Sequence, residues 1–268
     1  MSKGLRLERR RNTAVRVNRL IDEADRLYAV EGRPSHALRV LEHALSLDPR
    51  NVDGLVIKGR ILSWLDRVSE AIGCLDLAVS IDPVCGEAFL ERARILYAVR
   101  RQPRKALADV RAAISHAARD RWVKVEALRL QGHVLEALGR TDAALDSYRA
   151  ALRLDPKDVD SRESLGNALL ALRSPGQALR EFEKVLQVLN TRRKPNELDV
   201  GFALASKAEA LNMLGRHFEA LRATESGLRR VKEDVPREAL KAVHEETVKL
   251  MRSAARQGDR GRPPLRVK

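Results

Sequence analysis

The 268-residue sequence contains few of the residue types that build disulfide frameworks, membrane spans or aromatic ligand sites. It has two cysteines, two tryptophans, three tyrosines and four phenylalanines. Cys74 and Cys85 are too few for a disulfide framework, so we expect them to be reduced and the protein to be cytoplasmic. No apolar run approaches the roughly 20 residues of a membrane span, and no secretory apolar segment follows the basic start. The sequence therefore predicts no membrane partner and a core of Leu, Ala, Val and Ile.

Motifs for catalysis and for metal binding are also missing from the sequence. The six histidines are scattered, and His244 lacks the second histidine one turn on that a zinc motif needs. There is no Gly-rich phosphate loop, no cysteine pair at metal spacing and no nucleophile elbow. We therefore predict that the protein is not an enzyme and has no catalytic residues, no metal site and no cofactor.

The net charge of +14 is concentrated at the two ends. Residues 1–17 carry six basic and one acidic side chain, and residues 252–268 carry the same numbers. Each end contributes +5, which leaves about +4 for everything between them. Two interpretations stay open: the ends act as solubilising segments, or they contact a polyanion such as nucleic acid.

A repeated helical pattern fills the chain between these ends. Ala144, Tyr148 and Ala151 are spaced i, i+4, i+7, which places them on one face of a helix. Similar trios are Ala37/Leu41/Ala44, Ala71/Leu75/Ala78, Ala106/Val110/Ala113, Ala178/Phe182/Val185 and Ala220/Thr224/Gly227. A small residue precedes most trios by about twelve positions; these residues are Gly59, Ala93, Gly132, Gly166 and Ala208.

The spacing of these patterns resembles the tetratricopeptide repeat. Starts at Asn18, Val52 and Gly86 are 34 residues apart, as are Val125 and Val159. The resemblance implies an all-α fold, an α-solenoid wound as a right-handed superhelix, with about six helix pairs and a C-terminal capping helix. The predicted segments are a basic segment 1–17, an array 18–234 (18–51, 52–85, 86–120, 125–158, 159–192 and 201–234), a capping helix 235–257 and a disordered tail 258–268.

Three local features stand out within this array. Asp25 occupies the small-residue place of the first unit, and because a buried unpaired carboxylate is costly, we expect splayed helices or a carboxylate that faces water. Asp120 is a predicted N-cap, so the next helix should begin early. The stretch 190–195 is predicted to be a hinge or an exposed contact loop before Asn196 caps the following helix.

The resemblance also implies where a partner would bind. In this family the first helix of each pair lines a concave groove that binds other proteins. The predicted groove column is Arg26, Arg60, Arg94, His133, Asn167 and Glu209, with Trp64, Tyr97, Arg129, Glu136, Asn212 and Met213 beside it. Arginines stacked roughly 10 Å apart suit carboxylates or phosphates, and the column favours a partner peptide or helix with acidic residues.

The alternative is that these arginines pair inside the protein. Arg26 lies four residues after Asp22, and Arg94 lies three residues after Glu91, so both have a possible local partner. Arg60 has no acid at these spacings. It is therefore the arginine that local spacing leaves least satisfied.

Two functions remain under consideration. The leading hypothesis is a non-catalytic scaffold or adaptor that binds a partner peptide or helix in the groove, and a module regulating a separate enzyme would look the same. The alternative is a nucleic-acid-associated or ribonucleoprotein-associated factor that uses the basic tails and the Arg192–Lys194 loop, although few aromatics are available for base stacking. The Lys/Asn/Arg clamp of the family's chaperone-tail receptors is not found, so that specialisation is not supported.

Overall fold

The computed structural model describes residues 3–117, 120–191 and 195–260, and these form thirteen α-helices and no strand. The predicted all-α solenoid class is confirmed. The chain divides into two compact units, unit 1 (Met1–Arg140) and unit 2 (Thr141–Lys268). The predicted loop residues 192–194 and the tail residues 261–268 lie outside the described residues, as do residues 1 and 2.

Each unit is built from consecutive antiparallel helices. Unit 1 contains α1 (Lys3–Ala29), α2 (Pro34–Leu47), α3 (Val52–Trp64), α4 (Val68–Ile81), α5 (Gly86–Ala98), α6 (Pro103–His116) and α7 (Arg121–Ala137). Unit 2 contains α8 (Thr141–Leu154), α9 (Val159–Ala171), α10 (Pro175–Thr191), α11 (Glu197–Met213), α12 (His217–Arg230) and α13 (Asp234–Arg260). We call the odd-numbered helices α1 to α11 the first helices and their even-numbered partners the second helices. First helices also contact each other, for example α3 with α5 and α9 with α11.

Small residues allow the two helices of a pair to lie close together. A Cβ atom on Gly166 of α9 would lie 2.6 Å from the Phe182 ring of α10, and one on Gly59 of α3 would lie 2.8 Å from Leu75 of α4. Phe182 and Leu75 are fully buried. The large residue of the second helix therefore fills the space that the missing side chain of the first helix leaves.

Every turn between a first and a second helix contains one residue with a positive φ. These residues are Gly32, Asp66, Arg101, Gly139, Arg173 and Gly215. In four turns a backbone N–H bonds the carbonyl five residues earlier, as from Arg67 to Leu62, which is the Schellman arrangement. In the first and third turns the bond reaches six residues back, as from Arg33 to Leu27, because these turns hold one more residue.

The extra residue in the first turn corrects the predicted register of the first unit. Ala24, not Asp25, is the fully buried small residue of α1. The Asp25 side chain is 46% exposed, and its Oδ1 atom lies 3.8 Å from the Arg60 guanidinium of α3. The prediction that Asp25 takes the small-residue place is therefore wrong. The Asp25 Oδ1 atom is buried without a hydrogen bond, and the charge of Arg60 offsets that burial.

Predicted helix starts agree with the structure where side-chain caps define them. The Asp120 carboxylate accepts a hydrogen bond from the Val123 N–H at 3.0 Å, and α7 begins at Arg121 as predicted. Asn196 caps α11 in the same way, with 3.2 Å to the Leu198 N–H. Each cap satisfies a backbone donor that the helix itself leaves without a partner.

The last helix packs against both members of the sixth pair. Leu240 of α13 lies against Gly227 of α12, where an added Cβ would approach it to 2.7 Å. The buried Thr247 hydroxyl accepts a hydrogen bond from Asn212 of α11 at 2.8 Å. A helix thus covers the apolar side of the sixth pair at the place where a capping helix over 235–257 is predicted.

The close helix contact predicts opposite effects for two Gly→Ala changes. Gly166→Ala forces a Cβ against the buried Phe182 ring, so we expect a loss of about 1–3 kcal/mol in the free energy of unfolding. Gly73→Ala, in α4 with nothing within 4 Å of its added Cβ, should gain about 0.5–1 kcal/mol from helix propensity. Urea unfolding followed by circular dichroism measures both, and equal effects at the two sites would contradict the packing interpretation.

Candidate functional site

The predicted groove residues fall into one set in each unit. Unit 1 holds Arg26, Arg60, Trp64, Arg94, Tyr97, Arg129, His133 and Glu136, on α1, α3, α5 and α7. Unit 2 holds Asn167 on α9 and Glu209, Asn212 and Met213 on α11. The two sets differ in how many of their polar groups already have partners.

Arg60 is the centre of the ion pairs in unit 1. Its guanidinium lies 3.2 Å from Glu91 Oε1 and 3.8 Å from Asp25 Oδ1, and it also donates a hydrogen bond to Glu87. These acids come from α1 on one side and from α5 on the other. Arg60 therefore joins three successive first helices by charge.

The pairing continues from α5 to α7. Arg94 lies 3.9 Å from Glu91 and donates a hydrogen bond to Glu126. Arg129 Nη2 lies 2.6 Å and 2.7 Å from the two Glu126 oxygens. We call this chain of contacts the ionic ladder; its members are Asp25, Arg60, Glu87, Glu91, Arg94, Glu126 and Arg129. It contains four acids and three arginines.

Arg60 and Arg94 of the groove column thus form ion pairs within the protein. For Arg60 and Arg94, local spacing finds only the Glu91–Arg94 contact. Their other acids belong to neighbouring repeats: Glu87, Glu91 and Glu126 lie 27 to 32 residues later, and Asp25 lies 35 residues earlier. Arg26 lies outside the ladder. Its side chain is 64% exposed and lies 3.6 Å from Glu31. The shifted register of α1 places Asp25, rather than Arg26, next to Arg60.

Electrostatics show that Glu126 is a stabilising member of the ladder. Burial raises the pKa of the Glu126 carboxyl, but the hydrogen bonds and charges of Arg129 and Arg94 outweigh burial and lower this pKa overall. Its side chain is only 12% exposed. The ionised form is therefore favoured by folding.

The other predicted residues of unit 1 are nearer to solvent. Trp64 at the end of α3 is 65% exposed. Together with Tyr28, Gly32 and Pro34 it lines a small cavity of about 280 Å³. His133 Nδ1 lies 3.7 Å from Glu136 on the same helix, and Tyr97 is half-buried on α5.

Unit 2 contains a larger cavity between α9 and α11. Its volume is about 470 Å³, and Asn167, Leu170, Ala171, Arg173, Glu209 and Met213 line it. Within the described part of the chain, Asn167, Arg173 and Glu209 have no hydrogen-bond or ion-pair partner. Two predicted residues, Asn167 and Glu209, thus meet Arg173, which was not predicted, with their polar groups available. Asn212 does not join them, since its amide bonds Thr247 and lies 3.2 Å from His217.

Glu163, one turn before Asn167, is a residue that the sequence analysis missed. Its Oε1 atom is buried and accepts no hydrogen bond from the described residues. Burial, followed by the charges of Asp199 and Asp160, raises the pKa of Glu163 to about 7. Its position on the same helical face as Asn167 was the available signal, but the nearby charge of Asp199 comes from α11, which sequence spacing alone does not place.

Other kinds of site have no support in the described residues. No group of three or more His, Cys, Asp or Glu residues there is arranged to hold a metal ion. Within the same ranges, no helix has the length and apolar content of a membrane span.

Neutralising Glu126 tests the ionic ladder. Glu126→Gln should lower the free energy of unfolding by about 1–3 kcal/mol near neutral pH, because two partly exposed guanidinium groups lose the charge of a buried carboxylate. Since the folded-state pKa of Glu126 is lowered, this stability exists above the unfolded pKa and disappears as the pH falls through the folded pKa. Urea unfolding at neutral and at acidic pH measures the difference. Glu70→Gln, which breaks the exposed pair with Arg67, is the control and should stay close to wild type.

Neutralising Glu163 should have the opposite sign. Because folding raises the pKa of Glu163 from 4.5 to about 7, the stability that its proton provides is present below the unfolded pKa and lost as the pH rises through the folded one. Glu163→Gln should therefore be more stable than wild type by about 1–3 kcal/mol at roughly pH 8, with no difference at roughly pH 4. Glu245→Gln, at an exposed position of α13, is the control. A loss of stability in Glu163→Gln at the higher pH would contradict the assignment.

Comparison with known proteins places the chain among helical repeat proteins. A family model described as TPR repeat matches residues 132–172. A curated protein from Schizosaccharomyces pombe, the DnaJ homolog subfamily C member 7 homolog, is 24% identical over 206 residues, covering 75% of this chain and 36% of that protein. The chain thus spans about a third of the length of this relative.

Solved structures share the fold at low sequence identity. PilW, a type IV pilus biogenesis factor, superposes with a TM-score of 0.73 at 17% identity, covering 85% of this chain and 97% of PilW. YrrB, described as a TPR protein with an unusual peptide-binding site, gives a TM-score of 0.54 at 17% identity, covering 75% of this chain and 96% of YrrB. With the small-residue columns, the repeat period and the stacked helix pairs, these matches show that the chain has the fold of tetratricopeptide-repeat proteins and contains a TPR repeat at residues 132–172.

Proposed function

We propose that the protein is a non-catalytic scaffold that binds a segment of a partner protein on the first-helix face of unit 2. The observation that carries this proposal is the cavity between α9 and α11, where Asn167, Arg173 and Glu209 meet without partners of their own. Unmatched polar groups around a partly apolar depression are typical of a recognition site.

The lining of the cavity suits a polypeptide. The Asn167 amide offers both a donor and an acceptor, which is what an exposed peptide unit requires. Leu170 and Met213 add apolar surface, and the thioether of Met213 adapts to side chains of different shape. The likeness to YrrB, which has a peptide-binding site of its own, adds support from fold analogy.

The ionic ladder supports a structural role for the arginines of unit 1. A partner carboxylate that approached Arg60 or Arg94 would have to displace Glu87, Glu91 or Glu126. Displacing a charge that is already paired and half-buried gains little free energy. The hypothesis of an acidic partner segment therefore loses the feature on which it was based. Trp64 remains accessible on the same unit as a secondary contact.

The nucleic-acid alternative gains no specific observation. Of its predicted contacts, the N-terminal tail forms part of α1 from Lys3 onward, while the loop 192–194 and the tail residues 261–268 lie outside the described residues. Within unit 2 the accessible charges between α9 and α11 include carboxylates, which repel phosphate. The cytoplasmic location stays a prediction.

Peptide selection tests the scaffold proposal directly. A random peptide library displayed on phage is selected against the full chain, and enriched peptides are then measured by fluorescence anisotropy. Ala171→Phe fills the cavity from an exposed position, and Asn167→Ala removes an amide that would bond the peptide. Each change should weaken binding by about tenfold, which corresponds to about 1.4 kcal/mol of binding free energy.

The matched control is Ala242→Phe, on an exposed position of α13 that does not line the cavity. It should bind the selected peptides as wild type does. All three variants should retain the wild-type circular dichroism spectrum. Peptides that bind Ala171→Phe with unchanged affinity would place the site elsewhere, and a selection that enriches no peptide would contradict the proposed function.

A further inference from the structure

Two stripes of residues define the first-helix face of unit 2. On α9 helical spacing aligns Asp160, Glu163 and Asn167, and on α11 it aligns Asp199, Phe202, Glu209 and Met213. The acids Asp160, Glu163 and Asp199 are at the N-terminal ends of the two helices, and the cavity follows them. The face therefore carries a row of carboxylates that leads into the cavity.

The helix dipole accounts for two of these acids but not for the third. Asp160 and Asp199 lie in the first turns of their helices, where a negative charge is stabilised without a ligand. Glu163 lies beyond the first turn. Its Oε1 atom is buried without a hydrogen bond, while the side chain as a whole stays partly exposed. An ionised carboxylate in this position lacks the partner that burial normally demands.

Unit 1 shows what satisfies acids in an equivalent setting. There the guanidinium groups of Arg60 and Arg94 lie among Glu87, Glu91 and Glu126. In unit 2 the positions that correspond to Arg60 and Arg94 hold Asn167 and Glu209. This face of unit 2 therefore still carries acids but has no arginine at these two positions.

We propose that the partner segment is basic and that one of its arginine or lysine side chains binds at Glu163, beside the cavity of unit 2. This inference rests on the proposed function and specifies the chemistry of the partner. The cation would take the place that arginine holds between acids in unit 1. Glu209, which has no partner in the described residues, provides a second carboxylate for a further basic residue.

Two neighbours refine the chemistry of the bound segment. Phe202, 39% exposed on the α11 stripe, offers an aromatic surface for the aliphatic stem or the charge of the basic side chain. Arg173 lies in the turn that follows α9, whose end at Ala171 is about 12 Å along the helix axis from Glu163. The segment should therefore place its cation near Glu163 and a neutral or acidic residue near Arg173.

General electrostatic attraction does not account for this preference. The chain carries a net charge of +14, so a basic peptide is repelled by the molecule as a whole. Binding of basic peptides in preference to acidic ones must therefore come from a local group of carboxylates.

Three synthetic peptide pools test the inference on the full chain. The pools share their apolar positions and differ in the variable residues, which are lysine and arginine, serine and glutamine, or glutamate. Fluorescence anisotropy measures each pool against wild type, Glu163→Gln, Glu245→Gln and Ala171→Phe. We expect the basic pool to bind wild type most tightly, Glu163→Gln to weaken that pool by about five- to tenfold, and Glu245→Gln to leave it unchanged.

The pH dependence separates a charge effect from a change in shape. The charged groups that act on Glu163 are Asp160 on α9 and Asp199 on α11, while Arg162 of α9 is directed to Glu181 of α10. Since the pKa of Glu163 is about 7, affinity for the basic pool should rise between roughly pH 6 and roughly pH 8 in wild type. In Glu163→Gln this rise should be absent. Because this variant is expected to be more stable than wild type, unfolding would not explain weaker binding.

The outcomes distinguish the two proposals. If no pool binds wild type, the proposed function fails. If a neutral or acidic pool binds as tightly as the basic one, or if Glu163→Gln leaves the basic pool unaffected, the basic-partner inference is overturned. The scaffold proposal then still stands, provided that Ala171→Phe weakens the pool that binds.

Discussion

The close contact between paired helices within a unit is the constraint on which the rest of the structure depends. At Gly166 and Gly59 the partner side chain lies within the space that a methyl group would occupy. This contact fixes which side of the first helix faces its partner. The next residue, at Arg60 or Asn167, must then lie toward the neighbouring repeat or toward solvent. Helix packing thus determines which positions are available for charge.

In unit 1 these available positions are used to connect repeats. The ionic ladder joins α1, α3, α5 and α7 through Arg60 and Arg94, each of which contacts acids from two helices. Half-buried ion pairs add less stability than apolar packing, but breaking one side of such a pair leaves a costly unpaired charge. The ladder therefore fixes the register between neighbouring repeats. It also explains why a chain with so high a net charge exposes little free positive charge on this face.

The fold could be predicted from the sequence because its determinants are local and repeated. The trio Ala144, Tyr148 and Ala151 is fully buried, as its helical spacing predicts. The prediction fails at Asp25, where one extra residue in the following turn moves the register, since a fixed period does not reveal an insertion inside a single unit. Helical spacing also does not identify the acids that pair with Arg60, because the stacking of neighbouring helices, and not spacing along one helix, brings them close.

Glu163 shows the same limit at the candidate site. Nothing in its immediate sequence distinguishes it from other helical glutamates. Its charged neighbour Asp199 is brought close by the packing of α11 against α9. Groove position alone makes Arg60 and Asn167 equivalent. In the structure, however, Arg60 forms ion pairs within the protein, whereas Asn167 has no partner among the described residues. The difference lies in whether the next repeat supplies a partner. Where it does, the residue holds the array together; where it does not, the unmatched group determines the chemistry of the ligand, and at Glu163 that chemistry is cationic.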